Sequence, residues 1–308
     1  MIGINAITSY IPEEKIDNLK QADKFNESQK FITDKIGALH LPVMNEGDDT
    51  SDMAVRAVRA LVDNHGLNLN DIDALVVVTQ NGDGAGLPHT SAIVQAKLGL
   101  TKNIAAFDIS LGCSGYVYGL SILKGLMEQA GLKNGILVTA DPYSKIIDRD
   151  DRVTTLLFGD AATATWLTES GVWKFMQPLL ETDGSGASNL FVENNLLSMN
   201  GRQVFNFAAK QVPLQINKFL DTNKLTAEDI DLYCIHQGSA FIVDAVARRF
   251  PSVKERFVID IENTGNTISS SIPLLLEKRV LDSENNKILI SGFGVGLSWA
   301  TNILYRES

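Results

Sequence analysis

The sequence predicts a duplicated α/β fold, and two observations support this prediction. Short apolar runs bounded by turn residues alternate with longer helical patterns, which is typical of sheets whose strands are joined by helices. Three segments also recur in the same order at a nearly constant offset of 152 to 158 residues: 67–75 as 225–233, 107–110 as 259–262, and the apolar run at 136 as the run at 288. Matches in one order at one spacing indicate a repeated unit.

The repeated unit places several elements along the chain. Buried strands are predicted at residues 75–78, 136–138 and 288–290. In both copies of the first segment, the end of a helix is predicted to lead directly into a strand. In both copies of the second segment a strand is followed by a turn of small residues and then a helix. We therefore predict an amino-terminal half at residues 1–170 and a carboxy-terminal half at residues 171–308.

A long segment rich in Gly, Ser and Asn, at about residues 177–202, interrupts the repeat. Loops of this length inside compact domains usually have a function or are disordered. We predict that this segment forms a lid or a tunnel wall.

Composition limits the class of protein. A chain of 308 residues that is 44% hydrophobic can bury a large core, as one big domain or two packed halves. The formal charge of -10 disfavours binding to nucleic acid or to anionic membranes. No apolar run reaches the ~18 residues that span a bilayer, and the amino terminus lacks the features of a signal peptide, so we expect a cytoplasmic protein.

Cys113 is one of only two cysteines, and its sequence context favours a nucleophile. It follows a predicted strand and precedes an apolar helix predicted at residues 117–127, where the helix dipole and free N–H groups are expected to lower the pKa of a thiol. Gly112 and Gly115 beside it permit a tight turn. From this context alone, a small buried hydrophobic residue is an equally good interpretation.

Two further polar residues follow predicted strands in the second half. His236 comes directly after the apolar run 232–235, and Asn266 lies one residue beyond the position equivalent to Cys113. Each alone is more simply read as a structural or turn residue. Ligands of such α/β sheets bind beyond the carboxyl ends of strands, so in a duplicated fold the three side chains are expected to meet. Together they supply a nucleophile and two hydrogen-bond donors for a carbonyl oxygen.

Other motifs predict no chemistry. The glycine-rich run 292–296 lacks the spacing of a dinucleotide-binding loop. His40, His65 and His89 lack any metal-ligand spacing, and Cys234 is expected to pack inside its strand, so no metal site is predicted. The charged cluster at residues 148–152 is most simply a solvated loop, although Arg152 is a candidate for substrate binding.

The chain resembles β-ketoacyl-acyl carrier protein synthase III and its relatives within the thiolase superfamily. The resemblance runs nearly end to end through segments 9–13, Leu87-Pro88, 108–115, Phe158-Gly159-Asp160, 199–205, Ile235-His236-Gln237, Gly265-Asn266-Thr267 and Gly292-Phe293-Gly294. It implies a thiolase-like fold, in which two α/β halves with mixed five-stranded sheets stack in an αβαβα arrangement.

The resemblance also implies a reaction. Cys113 would accept an acyl group from acyl-CoA, and His236 and Asn266 would drive decarboxylation of a malonyl thioester, carried by acyl carrier protein, to give a 3-ketoacyl product. The oxyanion hole would use the backbone N–H groups of Cys113 and of Val295, where glycine is usual in the family. No cofactor is implied, since coenzyme A enters as the substrate's thioester.

Further positions are assigned by the resemblance alone. The residues implied to bind substrate or coenzyme A are Phe31, Lys35, Arg152, Gly201, Phe205, Gln237 and Gly238. Phe31 and Lys35 stand where the family has tryptophan and arginine, and Asn206 and Phe241 replace two basic residues. Arg248 and Arg249 would form the carrier-protein patch. A homodimer is also implied, in which Leu87 reaches into the partner's acyl pocket, where phenylalanine is the familiar residue.

Three alternatives remain open at this point. A relative could pass the acyl group to a hydroxyl or amine without decarboxylation, although the complete pair of His236 and Asn266 argues against it. A non-catalytic interaction subunit is disfavoured by the same complete centre. A cysteine protease, which can also use Cys, His and Asn, lacks its family's local cysteine motif here.

Overall fold

The computed structural model describes residues 1–279 and 284–306 of the chain. The strands of the first half are β1 (Gly3–Tyr10), β2 (Lys15–Asp17), β3 (His40–Pro42), β4 (Ala74–Val78), β5 (Ala105–Ile109), β6 (Asn134–Ala140) and β7 (Ala162–Thr168). Its helices are α1 (Asn18–Lys24), α2 (Gln29–Phe31), which continues as a π-helical turn at Ile32–Ile36, α3 (Thr50–His65), α4 (Thr90–Leu98), α5 (Gly115–Ala130) and α6 (Arg152–Thr155).

The second half repeats the same types of element. Its strands are β8 (Trp173–Phe175), β9 (Leu179–Thr182), β10 (Leu190–Glu193), β11 (Leu196–Met199), β12 (Leu232–Ile235), β13 (Lys287–Gly294) and β14 (Ser298–Arg306). Its helices are α7 (Gly201–Thr222), α8 (Ala240–Ala247) and α9 (Ser271–Glu277). The strands predicted at residues 75–78, 136–138 and 288–290 lie within β4, β6 and β13, and the predicted apolar helix lies within α5.

The duplication is visible in the sheet. In the first half the strand order is β1-β7-β6-β4-β5, with β4 parallel to β5 and β6 and the other pairs antiparallel. In the second half β12 is parallel to β13, β13 is antiparallel to β14, and β8 and β9 both pair with β14. Among the described residues, a single bridge from Ile4 to Trp173 joins the two sets of five strands. The fold class is therefore confirmed.

One predicted strand of the second half is almost absent. Residues 259–262, the counterpart of the end of β5, form no strand, and the equivalent pairing is reduced to one parallel bridge between Tyr233 and Phe257. The aromatic rings of Tyr233, Phe250 and Phe257 pack on one another here. Side-chain packing thus holds this edge where the first half uses a hydrogen-bonded strand.

Three apolar clusters define five layers. The central cluster joins α5 and α9 to strands of both halves, for example Val76 in β4 and Ile290 in β13. An outer cluster packs α3 and α4 on the opposite face of β4, through Leu75 and Val77. The other outer cluster packs α7 and α8 on β12 and β13. Because successive strand residues face opposite sides, strands covered on both sides are continuously apolar.

The segment at 177–202 folds back as an antiparallel hairpin of β10 and β11 after β9. Leu190 and Met199 of this hairpin line a cavity in front of Cys113, so the predicted tunnel wall is found here. No helix in the described part of the chain is long and apolar enough to cross a membrane.

Candidate active site

A largely apolar cavity of about 500 Å³ lies between the two halves, and Cys113, His236 and Asn266 all line it. The three side chains come from three separate connections: Cys113 between β5 and α5, His236 directly after β12, and Asn266 in the turn that precedes α9. All three residues are buried, with exposures of 5%, 3% and 4%. The structure therefore brings together the three residues that the sequence predicted as a centre.

Glycines of β13 create the space for Cys113. A Cβ atom at Gly294 would stand 2.7 Å from Sγ of Cys113, and one at Gly292 would stand 2.6 Å from its carbonyl oxygen. Both distances are shorter than non-bonded carbon contacts allow. The glycine-rich run after residue 291 therefore lets a strand of the second half lie directly against the nucleophile of the first.

The thiol of Cys113 is not activated in the way predicted. Helix α5 begins at Gly115 with Ser114 as its N-cap, so Cys113 does lie at the start of the helix. Burial nevertheless raises the pKa of Cys113 to about 12, the charge of Asp141 adds to that rise, and the backbone N–H groups of Val295 and Cys113 only oppose it. The expected lowering is wrong because desolvation of the thiolate outweighs the local dipoles.

The same two N–H groups are the ones predicted for the oxyanion hole. Both the N–H of Val295 and that of Cys113 itself are directed at the sulfur. An acyl oxygen on Cys113 would lie within reach of the two donors, which is the arrangement that stabilises a tetrahedral intermediate. The donor at Val295 belongs to the backbone, and the Val295 side chain packs against the apolar cluster that contains Cys113.

His236 is held as a neutral imidazole. Its Nδ1 atom lies 2.7 Å from Oγ of Ser271, and its ring meets that of Phe293 edge-on at 5.3 Å. Burial lowers the pKa of His236 to about 3, with the carbonyl of Ile268 opposing the shift. The Nε2 edge passes close to Gly238, which lines the cavity. A neutral ring in this position can donate a hydrogen bond from Nε2.

Asn266 is fixed by both halves of the chain. Its backbone N–H donates to the carbonyl of Leu157, and its own carbonyl accepts from the N–H of Gly159. Its Oδ1 atom accepts from the N–H of Ile268 at 3.0 Å, while its Nδ2 atom lies 3.5 Å from the carbonyl of Gly238. With Oδ1 engaged, the amide nitrogen is the group that remains for a substrate oxygen.

The cavity opens at a mouth that contains many of the positions assigned to substrate binding. Its lining includes Phe31, Lys35, Arg152, Gly201, Arg202, Phe205, Gly238 and Phe241. The ammonium of Lys35 lies 3.7 Å from the centre of the Phe241 ring, which stacks on Phe205. Arg152 pairs with Glu27 and lies over the ring of Phe31. Cations and aromatic rings thus surround the entrance.

Some assigned residues lie outside this cavity. Gln237 is buried, but its amide donates to the carbonyls of Ile235 and Val258 and accepts from the N–H of Asp260. These hydrogen bonds join the end of β12 to residues 258–260. The structure therefore gives Gln237 a structural role instead of the expected substrate contact. A side chain that follows a strand can point into the protein as well as into the site.

The remaining assigned residues lie on the surface. Leu87 is 85% exposed on the loop before α4. Arg248 and Arg249 are exposed at the end of α8, and Arg248 pairs with Asp244, which also pairs with Lys254.

Sequence reasoning missed two polar residues near the centre. Ser271 contacts His236, and Tyr143 lines the cavity while its hydroxyl donates to Oε1 of Gln80. No local motif marks either residue, since each is recognisable only once its distant partner is in place. Ser271 is the first residue of α9, the helix that follows the turn of Asn266. Its position in the repeated unit is the signal that could have identified it.

Solved structures with this architecture are numerous. A 2.1 Å crystal structure of a 3-oxoacyl-(acyl-carrier-protein) synthase III superposes with a TM-score of 0.93 at 29% identity, over 99% of each chain. The β-ketoacyl-[acyl carrier protein] synthase III of Thermus thermophilus superposes with a TM-score of 0.90 at 33% identity, again over 99% of each chain. The fold and the Cys, His and Asn centre therefore define a thiolase-fold condensing enzyme, which is an acyltransferase.

Sequence comparison specifies the family. One family model, described as 3-oxoacyl-[acyl-carrier-protein (ACP)] synthase III, matches residues 107–184, and a second, described as the carboxy-terminal part of the same synthase, matches residues 220–306. The β-ketoacyl-[acyl-carrier-protein] synthase III of Lactococcus lactis subsp. cremoris is 33% identical over 98% of both chains. This chain belongs to the β-ketoacyl-acyl carrier protein synthase III family.

Proposed function

We propose that the enzyme transfers an acyl group from acyl-CoA to Cys113 and condenses it with malonyl-acyl carrier protein to give a 3-ketoacyl-acyl carrier protein. The observation that carries the proposal is the shared cavity, in which the thiol, the imidazole and the amide face one apolar space. The similar synthases named above support the identity of the product.

The first half-reaction uses Cys113 and the two backbone donors. The sulfur attacks the thioester carbonyl, the N–H groups of Cys113 and Val295 hold the oxyanion, and the leaving thiolate takes the proton that the thiol gives up. Because the pKa of Cys113 is raised to about 12, the proton must leave as the carbon–sulfur bond forms. The products are acyl-Cys113 and free coenzyme A.

The second half-reaction uses His236 and Asn266. Carbon dioxide leaves the malonyl thioester, and the developing enolate oxygen accepts hydrogen bonds from Nε2 of His236 and Nδ2 of Asn266. The carbanion attacks the acyl-Cys113 carbonyl and the new carbon–carbon bond forms. The Cys113 thiolate leaves and takes one proton from solvent, which balances the negative charge of the malonyl carboxylate that was lost as carbon dioxide. A neutral His236 suits this step, because it supplies a donor without an acidic proton.

The carrier protein is proposed to dock beside the mouth on the cationic end of α8. Arg249 and Arg248 are exposed there, and Lys254 lies near them through the shared contact with Asp244. An acidic partner gains both attraction and orientation from such a patch on a protein of net charge -10. Exchange of both arginines for alanine should raise the KM for the malonyl carrier without changing acylation of Cys113.

We propose that a homodimer completes the part of the cavity that would hold the acyl chain. The outer edge of β5 pairs with no strand in the described part of the chain, and Leu87 projects from the nearby loop with 85% exposure. Gln80, which touches the turn around Cys113, is also exposed in the single chain. Leu87 of the partner subunit would close the side of the cavity beside Gln80. We propose that the dimer works in the cytoplasm.

A product assay tests the proposed function. The protein is incubated with malonyl-acyl carrier protein and a panel of acyl-CoA donors of increasing chain length, and the carrier products are identified by mass spectrometry. The proposal predicts a 3-ketoacyl carrier and an equal amount of carbon dioxide. Ester or amide products from other acceptors, without carbon dioxide, would instead establish the transferase alternative.

Because Leu87 is smaller than phenylalanine, we expect acetyl-CoA not to be the best donor.

A further inference from the structure

A tyrosine hydroxyl lies beside the nucleophile in an otherwise apolar part of the cavity. Tyr143 lines the cavity and is only 3% exposed. Within the described part of the chain its hydroxyl makes one hydrogen bond, to Oε1 of Gln80 at 3.3 Å, which is longer than the usual ~2.8 Å between two oxygen atoms. Burial and the nearby charges of Asp141 and Cys113 raise the pKa of Tyr143 well above its ordinary value. The hydroxyl is therefore neutral and loosely held.

Gln80, the partner of this hydroxyl, lies against the turn that carries the nucleophile. A Cβ atom at Gly112 would stand 2.7 Å from Oε1 of Gln80. Because Gly112 directly precedes Cys113, this oxygen lies within about 8 Å of the Cα atom of Cys113. The backbone N–H of Gln80 donates to Oδ1 of Asp141 at 3.1 Å, which fixes the base of the side chain. Its Nε2 group forms no hydrogen bond with any residue that the structure describes.

The pair of Gln80 and Tyr143 thus offers one free donor and one free acceptor. Nε2 of Gln80 is the donor, and the hydroxyl oxygen of Tyr143, whose proton points to Oε1, is the acceptor. Gln80 is exposed in the single chain, and in the proposed dimer Leu87 of the partner subunit would cover it. Leucine offers no hydrogen bond, so closure would bury both polar groups without partners.

The chemistry of the acyl chain decides whether these groups are satisfied. Buried polar groups without partners cost free energy, and a chain of methylene groups cannot recover it. A single hydroxyl on the chain recovers both hydrogen bonds, since it accepts from Nε2 of Gln80 and donates to the oxygen of Tyr143. A keto oxygen would satisfy Gln80 alone.

We propose that Tyr143 and Gln80 are specificity-determining residues that select an acyl donor with a hydroxyl group on one of its first few carbons. This inference rests on the proposed function, since it concerns the acyl-CoA that loads Cys113. The transfer and the condensation proceed as described above, and the hydroxyl is not consumed. A 3-hydroxyhexanoyl donor would give a 5-hydroxy-3-ketooctanoyl carrier and one carbon dioxide.

Matched six-carbon donors test the preference. Hexanoyl-CoA, both enantiomers of 3-hydroxyhexanoyl-CoA and 6-hydroxyhexanoyl-CoA are supplied separately, and kcat/KM for acylation of Cys113 is measured by intact mass. One enantiomer of the 3-hydroxy donor is expected to exceed hexanoyl-CoA at least about tenfold, because a site that hydrogen-bonds a hydroxyl rejects the analogue without it. The 6-hydroxy donor should be no better than hexanoyl-CoA, because its hydroxyl lies too far from the thioester.

Tyr143→Phe removes the hydroxyl and keeps the ring. The ratio of kcat/KM for the preferred 3-hydroxy donor to that for hexanoyl-CoA should fall at least about fivefold, and Gln80→Leu should lower it similarly. Tyr233→Phe is the matched control. Tyr233 is also buried and its hydroxyl donates to the carbonyl of Ala227 at 2.8 Å, but it does not line the cavity. This control should keep the wild-type ratio, and partial unfolding of any variant cancels in a ratio.

Several results would overturn the proposal. Hexanoyl-CoA could be used as well as either 3-hydroxy enantiomer, or the 6-hydroxy donor could be the best of the four. A wild-type ratio in both Tyr143→Phe and Gln80→Leu would place hydroxyl recognition elsewhere. Acylation by hexanoyl-CoA without any preference for a hydroxyl refutes this inference alone. Failure of every donor to acylate Cys113 contradicts the proposed function itself, so the two failures are distinguishable.

Discussion

The Nδ1 atom of His236 lies 2.7 Å from the Oγ atom of Ser271, and both residues are buried. The hydroxyl carries one proton, which it donates either to the carbonyl oxygen of Ile268 at 3.0 Å or to Nδ1 of His236. If the hydroxyl donates to Nδ1, the ring proton sits on Nε2, which is the donor that decarboxylation needs. Without the hydroxyl, Nδ1 would carry the proton and donate to the Ile268 carbonyl, and Nε2 would become an acceptor.

Ser271→Ala should therefore slow the second half-reaction selectively. Loss of one hydrogen bond to the catalytic ring is expected to reduce carbon dioxide release from malonyl-acyl carrier protein at least about tenfold. Acylation of Cys113, followed by intact mass, should change little because it does not use His236. Ser271→Thr, which keeps the hydroxyl, should recover much of the activity. Equal losses in both half-reactions would point to a structural role only.

The pKa of Cys113 predicts how its reactivity changes with pH. With the pKa raised to about 12 by burial, the thiolate fraction should increase about tenfold for each pH unit between 7 and 9. The rate of alkylation by iodoacetamide, with Cys113→Ser to subtract reaction at Cys234, measures this slope. A rate that levels off below pH 8 would mean that the dipoles at α5 outweigh burial after all.

Asp141 makes stability depend on pH. Its Oδ1 atom accepts from the N–H of Gln80 and from Asn81, its Oδ2 atom has no partner in the described part of the chain, and burial raises its pKa to about 7. Because this folded pKa lies above the ordinary 3.8, the stability that Asp141 contributes is fully present below pH 3.8 and is lost as the pH rises through 7.

Asp141→Asn should remove this loss. Relative to the wild type, the variant should gain about 1.4 kcal/mol in the free energy of unfolding for each pH unit between 5 and 7, as an upper limit. Urea unfolding at pH 5, 6, 7 and 8 gives the difference. Asp63→Asn, which changes an exposed carboxylate of α3, is the control. A constant difference across this range would show that Asp141 stays ionised in the folded protein.

Gly294 tests the close approach of β13 to the nucleophile. A methyl group at Gly294→Ala would meet Sγ of Cys113 at 2.7 Å and its Cβ atom at 2.9 Å, so the thiol must move. A displacement of this size is expected to slow acylation about 100-fold. Gly125→Ala, on α5 where an added Cβ meets nothing within 4 Å, should leave acylation unchanged. Normal acylation by the Gly294 variant would refute the tight packing.

The sequence could predict the fold and the three central residues because their signals are local. The strands around Ile136 and Ile288 are short apolar runs, and Cys113 and His236 each follow such a run. The duplication then indicated that their ends would meet. The missing strand at residues 259–262 was not predictable in this way, because its place is taken by packing among aromatic rings that come from separate segments.

Other features depend on distant parts of the chain. The pKa of Cys113 was predicted in the wrong direction because burial results from the whole fold, whereas the helix start is a local feature. The pair formed by Glu27 and Arg152 joins residues that no motif connects. Gln237 is assigned by the family resemblance, but its side chain forms hydrogen bonds within the protein.

The central claim is that one cysteine carries the acyl group between two half-reactions. Intact-mass measurement of the protein tests it most directly, first after incubation with acyl-CoA and then after addition of malonyl-acyl carrier protein. We predict a mass increase of one acyl group on Cys113 that is absent in Cys113→Ala, and that disappears on addition of the malonyl carrier as 3-ketoacyl carrier is formed. In Asn266→Ala the acyl group should load and then persist. A wild-type protein that forms product without acylation of Cys113, or an acyl group that leaves only by hydrolysis, would contradict the account.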